Sequence, residues 1–227
     1  MDSAALRERV EAEKATELDR LGSNKFLVAL TDADLTTDAV LRAAADSEHA
    51  AHVTFAGWAE NENDPAAREL FGWVADREAD HRDRVLDALD GDHDPNERAE
   101  ETSAADRTQS GNGGTMHSYL RARTDTVERV AAGLVGRPLV SVRAHLQVVS
   151  HFVNEADGSR AELFRDLRSE TEEELERGLD YLDQHCDEED DGDWESAAMV
   201  AAYVVQLAYD DYADSLRGLD IDVKPVC

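Results

Sequence analysis

Two Glu/His pairs in otherwise apolar segments are the residues of this sequence best suited to chemistry. Glu48 and His52 lie one helical turn apart in "DSEHAAHVTFAGW", and Glu78 and His81 are spaced i, i+3 in "EADH". A period of 3.6 residues puts each pair at the centre of an apolar stripe. A buried carboxylate needs a partner, and this spacing projects a carboxylate and an imidazole in one direction, which suits a metal ion. The four residues together predict one shared site.

The elements that must position these residues are all predicted to be helices, so the fold class is all-α. Thr37 caps a helix that runs to about Asn61, and Pro65 opens another that runs to about Asp90. A later helical stretch is expected to break near Gly136–Pro138, where the sequence reads "GRP". The predicted regions of this single domain are an N-terminal helix and connector (1–36), a first hairpin (37–90), a flexible linker (91–115), a second hairpin region (116–186) and a C-terminal helix (193–217).

An internal repeat links the two hairpins. A shift of 93 residues aligns residues 26–90 with 119–183 without a gap, and nineteen of the 65 aligned residues are identical. A helical hairpin cannot bury its apolar stripe alone, so the duplication predicts a four-helix bundle with a long crossover. The repeat places His145 opposite His52 and Glu174 opposite His81. The predicted centre contains three carboxylates and three imidazoles: Glu48, His52, Glu78, His81, His145 and Glu174.

The segment from Asp46 to Leu89 resembles the first hairpin of the ferritin-like rubrerythrin family. That family has a glutamate on its first core helix, which Glu48 matches, and a Glu-x-x-His on its second, which Glu78 and His81 match. The resemblance implies a ferritin-like bundle with additional terminal helices and a carboxylate site for iron. It also implies oxidase or peroxidase chemistry in oxidative stress or iron handling. The motif covers residues 37–90, and residues 130–185 follow by pattern only.

The second half departs from this family. Ser141 replaces its glutamate, the segment Thr171–Glu174 replaces its second Glu-x-x-His, and no CxxC pair of a rubredoxin-like domain is present. The remaining nitrogen and oxygen donors suit iron, manganese or zinc, as one ion or as a rearranged pair. A one-residue slip would direct Glu170 or Glu173 inward instead. The alternative function is a metal-free scaffold or regulatory protein that acts through a partner, in which the three carboxylates pair with the three histidines.

Charge and composition exclude some classes of function. The chain of 227 residues has 52 acidic and 23 basic residues, a formal charge of −29 and 41% hydrophobic residues. A folded, acidic and lysine-poor chain is typical of a halophilic protein from a salt-rich cytoplasm. Nucleic-acid binding is not expected, because it needs a basic patch and none is found in this sequence. Cys186 and Cys227 are expected to be free thiols in a reducing compartment.

Two further expectations concern the chain ends and the remaining histidines. Neither a stretch of about 20 apolar residues nor a secretory leader is found, so no membrane association is predicted. The apolar C-terminal helix is predicted to be buried on two sides, by its own bundle and by a partner such as a second copy in a homodimer. The alternative is a fifth helix that caps the bundle of a monomer. His49, His93, His117 and His185 are expected to face solvent or to lie in the linker.

Overall fold

The computed structural model describes residues 1–91, 93–94, 113–186 and 191–224, and all regular structure in these ranges is helical. The helices are α1 (Ser3–Glu13), α2 (Ala15–Leu21), α3 (Lys25–Leu30), α4 (Thr37–Asn61), α5 (Pro65–Asp87), α6 (Gly114–Arg121), α7 (Thr126–Val130), α8 (Arg137–Asn154), α9 (Gly158–His185) and α10 (Asp191–Gly218), with a π-helical segment (Ala131–Gly136) between α7 and α8. The predicted all-α class is confirmed.

Two hairpins, α4–α5 and α8–α9, are closed by short connections and begin their second helices in the same way. Asp64 caps α5 by accepting the N–H of Ala67, and Pro65 follows at the first helical position. Asp157 caps α9 by accepting the N–H of Arg160. Asp64 and Asp157 are equivalent in the 93-residue repeat, so the same capping chemistry sets where both second helices start.

Several element boundaries differ from the sequence-based expectation. The first helix is interrupted at Lys14, and the connector contains α3. The expected break at Gly136–Pro138 is wrong, because the chain passes from α7 through the π-helical segment into α8 without leaving the helical state. A π turn widens a helix locally, which accommodates the proline that a regular α-helix would exclude. Residues 92 and 95–112 of the predicted linker lie outside the described residues, while Gly114 already belongs to α6.

The C-terminal helix α10 is covered by the chain's own helices. It contacts α1, α2, α3, α6, α7, α8 and the π-helical segment. A Cβ atom at Gly136 would lie 2.7 Å from the carbonyl oxygen of Ala201, so only glycine permits this approach. Met199 and Tyr203 remain 64% and 47% exposed on its outer face. A homodimer through this helix stays a prediction.

The remaining expectations concern membrane-spanning helices and the two cysteines. None of the described helices has the length and apolarity needed to cross a lipid bilayer. Cys186 is a buried free thiol, whereas Cys227 lies outside the described residues.

The hydrophobic core consists of two clusters separated by a polar layer. One cluster contains Phe55, Phe71 and Leu134 and extends to α1 and α10, and the other contains Leu41 and Phe152. The buried residues Glu48, Glu78, His81, His145 and Glu174 lie in sequence between members of the two clusters, whereas Arg137 lies between members of the first cluster. The layer is therefore enclosed by apolar side chains on both sides, which raises the cost of any unpaired charge within it.

Candidate metal centre

Six charged or titratable side chains from four helices form the polar layer. They are Glu48 from α4, Glu78 and His81 from α5, Arg137 and His145 from α8, and Glu174 from α9, and none is more than 6% exposed. Each lies within an otherwise apolar helical stripe, so its interaction partners must come from the layer itself. We call these six residues the polar centre.

Glu48, Glu78 and His81 form the part of the polar centre that suits a metal ion. Each offers one ligand atom, and the three atoms lie within 4.8 Å of one another. His81 Nδ1 is 3.8 Å from Glu78 Oε2 and 3.9 Å from Glu48 Oε2. These distances are too long for hydrogen bonds but lie below about 4.2 Å, the largest separation of two atoms that ligate one ion at about 2.1 Å. Glu78 Oε2 and His81 Nδ1 are fully buried, and neither has a hydrogen-bond partner in the described part of the chain.

The other ring nitrogen of His81 is held by a carboxylate on α9. His81 Nε2 donates to Glu170 Oε2 over 2.7 Å, and Arg84 Nη1 donates to the same oxygen over 2.8 Å. With Nε2 protonated, a neutral His81 ring presents the lone pair of Nδ1 to the carboxylates of Glu48 and Glu78. That arrangement is repulsive unless Nδ1 carries a proton or binds a cation. The three groups therefore fit a metal ion, and His81 is oriented as metal-binding histidines commonly are.

Arg137 pairs with the carboxylates of Glu78 and Glu174 within the polar centre. Its Nη1 lies 2.7 Å from Glu78 Oε1, and its Nη2 donates to Glu174 Oε2 over 2.5 Å. The surrounding carboxylates raise the already high pKa of the buried guanidinium against the opposing effect of burial. A planar guanidinium that bridges two carboxylates supplies one fixed positive charge. Glu174 is therefore already paired within the protein.

The π-helical segment explains how Arg137 reaches this position. The N–H of Arg137 bonds the carbonyl of Ala132, five residues earlier. The carbonyl of Gly133 instead accepts a hydrogen bond from Arg137 Nε over 3.1 Å. A π turn thus supplies the backbone acceptor that fixes the guanidinium, and π turns are frequent at functional sites.

Glu48 is paired with the second hairpin through His145. His145 Nε2 donates to Glu48 Oε1 over 3.1 Å. Burial alone would raise the pKa of Glu48, but the hydrogen bond from His145 and the nearby His81 outweigh it and hold the pKa well below its usual range. Glu48 is therefore an ionised carboxylate, as a metal ligand must be.

The pKa values of Glu78 and His81 are shifted in the opposite direction. Burial raises the pKa of Glu78 well above its usual range, and the charges of Glu174 and Glu48 add to the effect of burial against the opposing charge of Arg137. Burial would lower the pKa of His81, but the neighbouring carboxylates, Glu48 first, raise it above the ordinary value. The raised pKa of His81 reflects the carboxylates around it and that of Glu78 reflects burial first, and both shifts favour the protonated forms of these groups.

Of the six site residues that the sequence predicted, five lie in the polar centre and one does not. The structure brings Glu48, Glu78 and His81 together, places His145 in a hydrogen bond with Glu48, and pairs Glu174 with Arg137. His52 stands apart from this group because its Nδ1 donates to the carbonyl of Ala75 over 2.8 Å and its ring is half-buried.

Two residues of the site were not in the predicted set. Arg137 was missed because the sequence predicted a helix break at this position. It precedes Ser141 by four residues and His145 by eight, so helical spacing places it on the same inward stripe. Glu170, one of the two residues that a one-residue slip would direct inward, reaches the back of His81, whereas Glu173 bonds Arg77 and Arg177. His117 was expected to face solvent, but it is buried, with 2% of its surface exposed.

A comparison of the chain with protein-family models, with curated proteins and with solved structures finds no match.

Proposed function

We propose that the protein binds one divalent metal ion through Glu48, Glu78 and His81. One observation carries this proposal: three buried ligand atoms converge, and two of them, Glu78 Oε2 and His81 Nδ1, have no hydrogen-bond partner among the described residues. Burying polar atoms without partners costs free energy that a bound ion offsets. The donor set of two carboxylates and one imidazole suits iron, and also manganese or zinc.

The same proposal assigns the chain to the ferritin-like, rubrerythrin type. The 93-residue repeat, the equivalent caps Asp64 and Asp157, and the glutamate and Glu-x-x-His of the first hairpin support this assignment. In it, α4, α5, α8 and α9 are the four helices of a duplicated-hairpin bundle. Iron handling or protection against oxidative stress is the corresponding role.

Arg137 favours a site for one ion over a site for two. Its guanidinium occupies the side of Glu78 that faces Glu174, and it neutralises Glu174. A second divalent ion in that position would meet a fixed positive charge within a few ångströms. Oxidase or peroxidase chemistry that needs an iron pair is therefore the less favoured form of this proposal. The residues present support binding and positioning of one ion.

The second candidate function is a metal-free scaffold or regulatory protein, and the charges of the polar centre favour it independently. With His81 protonated and Glu78 neutral, the cations His81 and Arg137 balance the anions Glu48 and Glu174. The raised pKa values of His81 and Glu78 are those that this state requires. Either a proton or a metal ion therefore satisfies His81 Nδ1, and metal content decides between the two functions.

The experiment is metal analysis of protein purified in high salt from iron-supplemented cells. The wild type is compared with a Glu78→Ala/His81→Ala variant and with His52→Ala as a matched control on α4. We expect about one equivalent of metal in the wild type and in the control, and less than about a tenth in the double variant. Cobalt(II) added to stripped protein gives a second readout, because ligand-field absorption reports coordination by these residues.

The outcomes separate the hypotheses. A wild type with less than about a tenth of an equivalent, and no cobalt spectrum, would overturn metal binding and leave the metal-free function. Full metal content in the double variant would show that other residues are the ligands. A circular-dichroism spectrum of each variant excludes loss of the fold as the cause.

A further inference from the structure

A second candidate site is a cavity that lies beside the polar centre and shares none of its six residues. The cavity has a volume of about 250 Å³ and is lined by residues of α2, α3, α4, α6, α8 and α10. Apolar walls are formed by Phe26, Met116 and Val140, among others, while Tyr212 and Asp211 contribute polar atoms. Apolar walls with a few fixed polar groups are typical of sites for small organic molecules.

Asp211 is a partly buried carboxylate of this cavity that has no cationic partner among the described residues. Its Oδ2 accepts the backbone N–H of Thr115 over 3.1 Å, and it forms no ion pair with a lysine or arginine among the described residues. Burial raises the pKa of Asp211, and the hydrogen bonds from Thr115 and Met116 only partly offset that effect. A half-buried carboxylate without a counter-ion is stabilised by a ligand that brings one.

The other groups on the cavity wall do not supply that counter-ion. His117 lies on the wall with its Nδ1 3.2 Å from Thr54 Oγ1, and burial lowers its pKa to about 3, so its ring is neutral. The remaining charged side chains of the described lining are the carboxylates of Asp32 and Asp46, and Asp46 already accepts from His93 Nε2 over 2.8 Å. The lining in the described part of the chain therefore selects against anions.

We propose that this cavity binds a small organic ammonium ion. The ammonium group pairs with Asp211, and the alkyl or aryl part lies against Phe26, Met116 and Val140. Charge-assisted hydrogen bonds to a carboxylate fix the orientation, and burial of the apolar part adds affinity. The formal charge of −29 raises the local concentration of any cationic ligand. This proposal stands whether or not the polar centre holds a metal.

The test compares three probes of the same length that differ in the head group: hexylammonium, hexanol and hexanoate. Each is titrated into the intact protein at one fixed salt concentration and followed by amide chemical shifts in NMR. We expect hexylammonium to bind in about the millimolar range, at least about tenfold more tightly than hexanol, with no binding of hexanoate. The largest shifts should fall on Thr115 and on the turn of α10 around Asp211.

Two variants and one control locate the binding. Asp211→Asn keeps the acceptor for Thr115 but removes the charge, so hexylammonium should bind it about tenfold more weakly. Asp210→Asn removes an exposed neighbouring charge outside the cavity lining and should leave the affinity unchanged. Ala144→Phe fills the cavity from α8 and should abolish binding of hexylammonium.

Three results would overturn the proposal. They are no binding of hexylammonium up to about 50 mM, equal affinity for hexanol, or equal affinity of the wild type and Asp211→Asn. Unchanged helical content and amide dispersion in the variants show that the fold is intact, so each of these results bears on the site.

Discussion

Arg137 Nη1 lies 2.7 Å from Glu78 Oε1, with 3% and 1% of the two side chains exposed. The guanidinium therefore pairs with one oxygen of a carboxylate whose other oxygen is aimed at His81. Glu78 therefore lies between the permanent charge of Arg137 and the imidazole of His81, where we propose that a metal ion binds. We therefore expect the charge of Arg137 to limit the proposed site to one metal ion and to stabilise the metal-free protein.

Replacing Arg137 should destabilise the metal-free protein and allow the polar centre to bind a second metal ion. Arg137→Met leaves Glu78 and Glu174 buried without their cation, so the free energy of unfolding should fall by about 3–5 kcal/mol. With excess metal, the stoichiometry should rise from about one ion to about two, because the fixed positive charge is gone. Urea unfolding and metal analysis measure the two effects.

The control for this prediction is Arg143→Met, also on α8. Arg143 is half-buried, but its Nη1 donates to the carbonyl of Leu139, and its nearest carboxylate, that of Glu11, is 3.8 Å away. We expect a loss of less than about 1 kcal/mol and no change in metal stoichiometry. Equal destabilisation by both substitutions would show that the pairing of Arg137 has no special weight.

The local patterns of the sequence predict the helices and part of the site. Period-3.6 apolar spacing and the caps at Asp64 and Asp157 are local signals, so the long helices follow from them. Glu48, Glu78 and His81 lie at the centres of two adjacent stripes of one hairpin. Their convergence needs only that the hairpin closes.

The contribution of the second hairpin was harder to predict because it depends on a backbone irregularity. The π-helical segment joins α7 to α8, so the helix continues through "GRP", where a regular helix would end. The same segment fixes Arg137 in the core. Once Arg137 is inside, Glu174 pairs with it, and Glu170 becomes the residue that reaches His81. Pattern matching between the two repeats does not show this exchange of partners.

The stability of the metal-stripped protein should fall as the pH rises above neutrality. His81 has a folded-state pKa above the ordinary histidine value of about 6.5, so its contribution is complete below that pH and is lost as the pH rises through the folded value. The raised pKa of Glu78 acts in the same direction, starting from the ordinary glutamate value of about 4.3. The lowered pKa of Glu48 acts oppositely, because its contribution is lost as the pH falls through the folded value.

Urea unfolding of the stripped protein between about pH 6 and pH 9 measures this dependence. His81→Gln should flatten the decline, whereas His52→Gln, outside the polar centre, should leave it unchanged. Bound metal should also remove the decline, since the ion replaces the proton on His81. A decline of equal size in wild type and His81→Gln would assign it to other groups.

Glu170 should act as a positioning residue for His81, the proposed metal ligand. Its carboxylate accepts from His81 Nε2 and fixes the ring so that Nδ1 faces Glu48 and Glu78. Glu170→Gln should weaken metal binding by about 10-fold to 100-fold without changing the stoichiometry at saturation. Competition with a chelator measures the affinity.

The matched control is Glu173→Gln, on the same helix. Glu173 also accepts from arginines, Arg77 and Arg177, but it does not contact the polar centre. The metal affinity of the Glu173→Gln variant should equal that of the wild type. Glu170→Asp, which keeps the charge but shortens the side chain, should fall between the two. A uniform loss in all three variants would indicate a general electrostatic effect instead of positioning.

Two glycines in long helices should respond in opposite directions to the same substitution. A Cβ atom at Gly178 on α9 would clash with the side chain of Leu134 and lie 2.9 Å from its carbonyl oxygen, within the π-helical segment that precedes Arg137. Gly178→Ala should therefore lower the free energy of unfolding by about 1–3 kcal/mol. A Cβ atom at Gly72 on α5 would meet none of the described residues within 4 Å, so Gly72→Ala should raise the free energy of unfolding by about 0.5–1 kcal/mol through helix propensity alone. Urea unfolding of both variants measures the two signs, and stabilisation by Gly178→Ala would contradict the close packing of α9 on the π-helical segment.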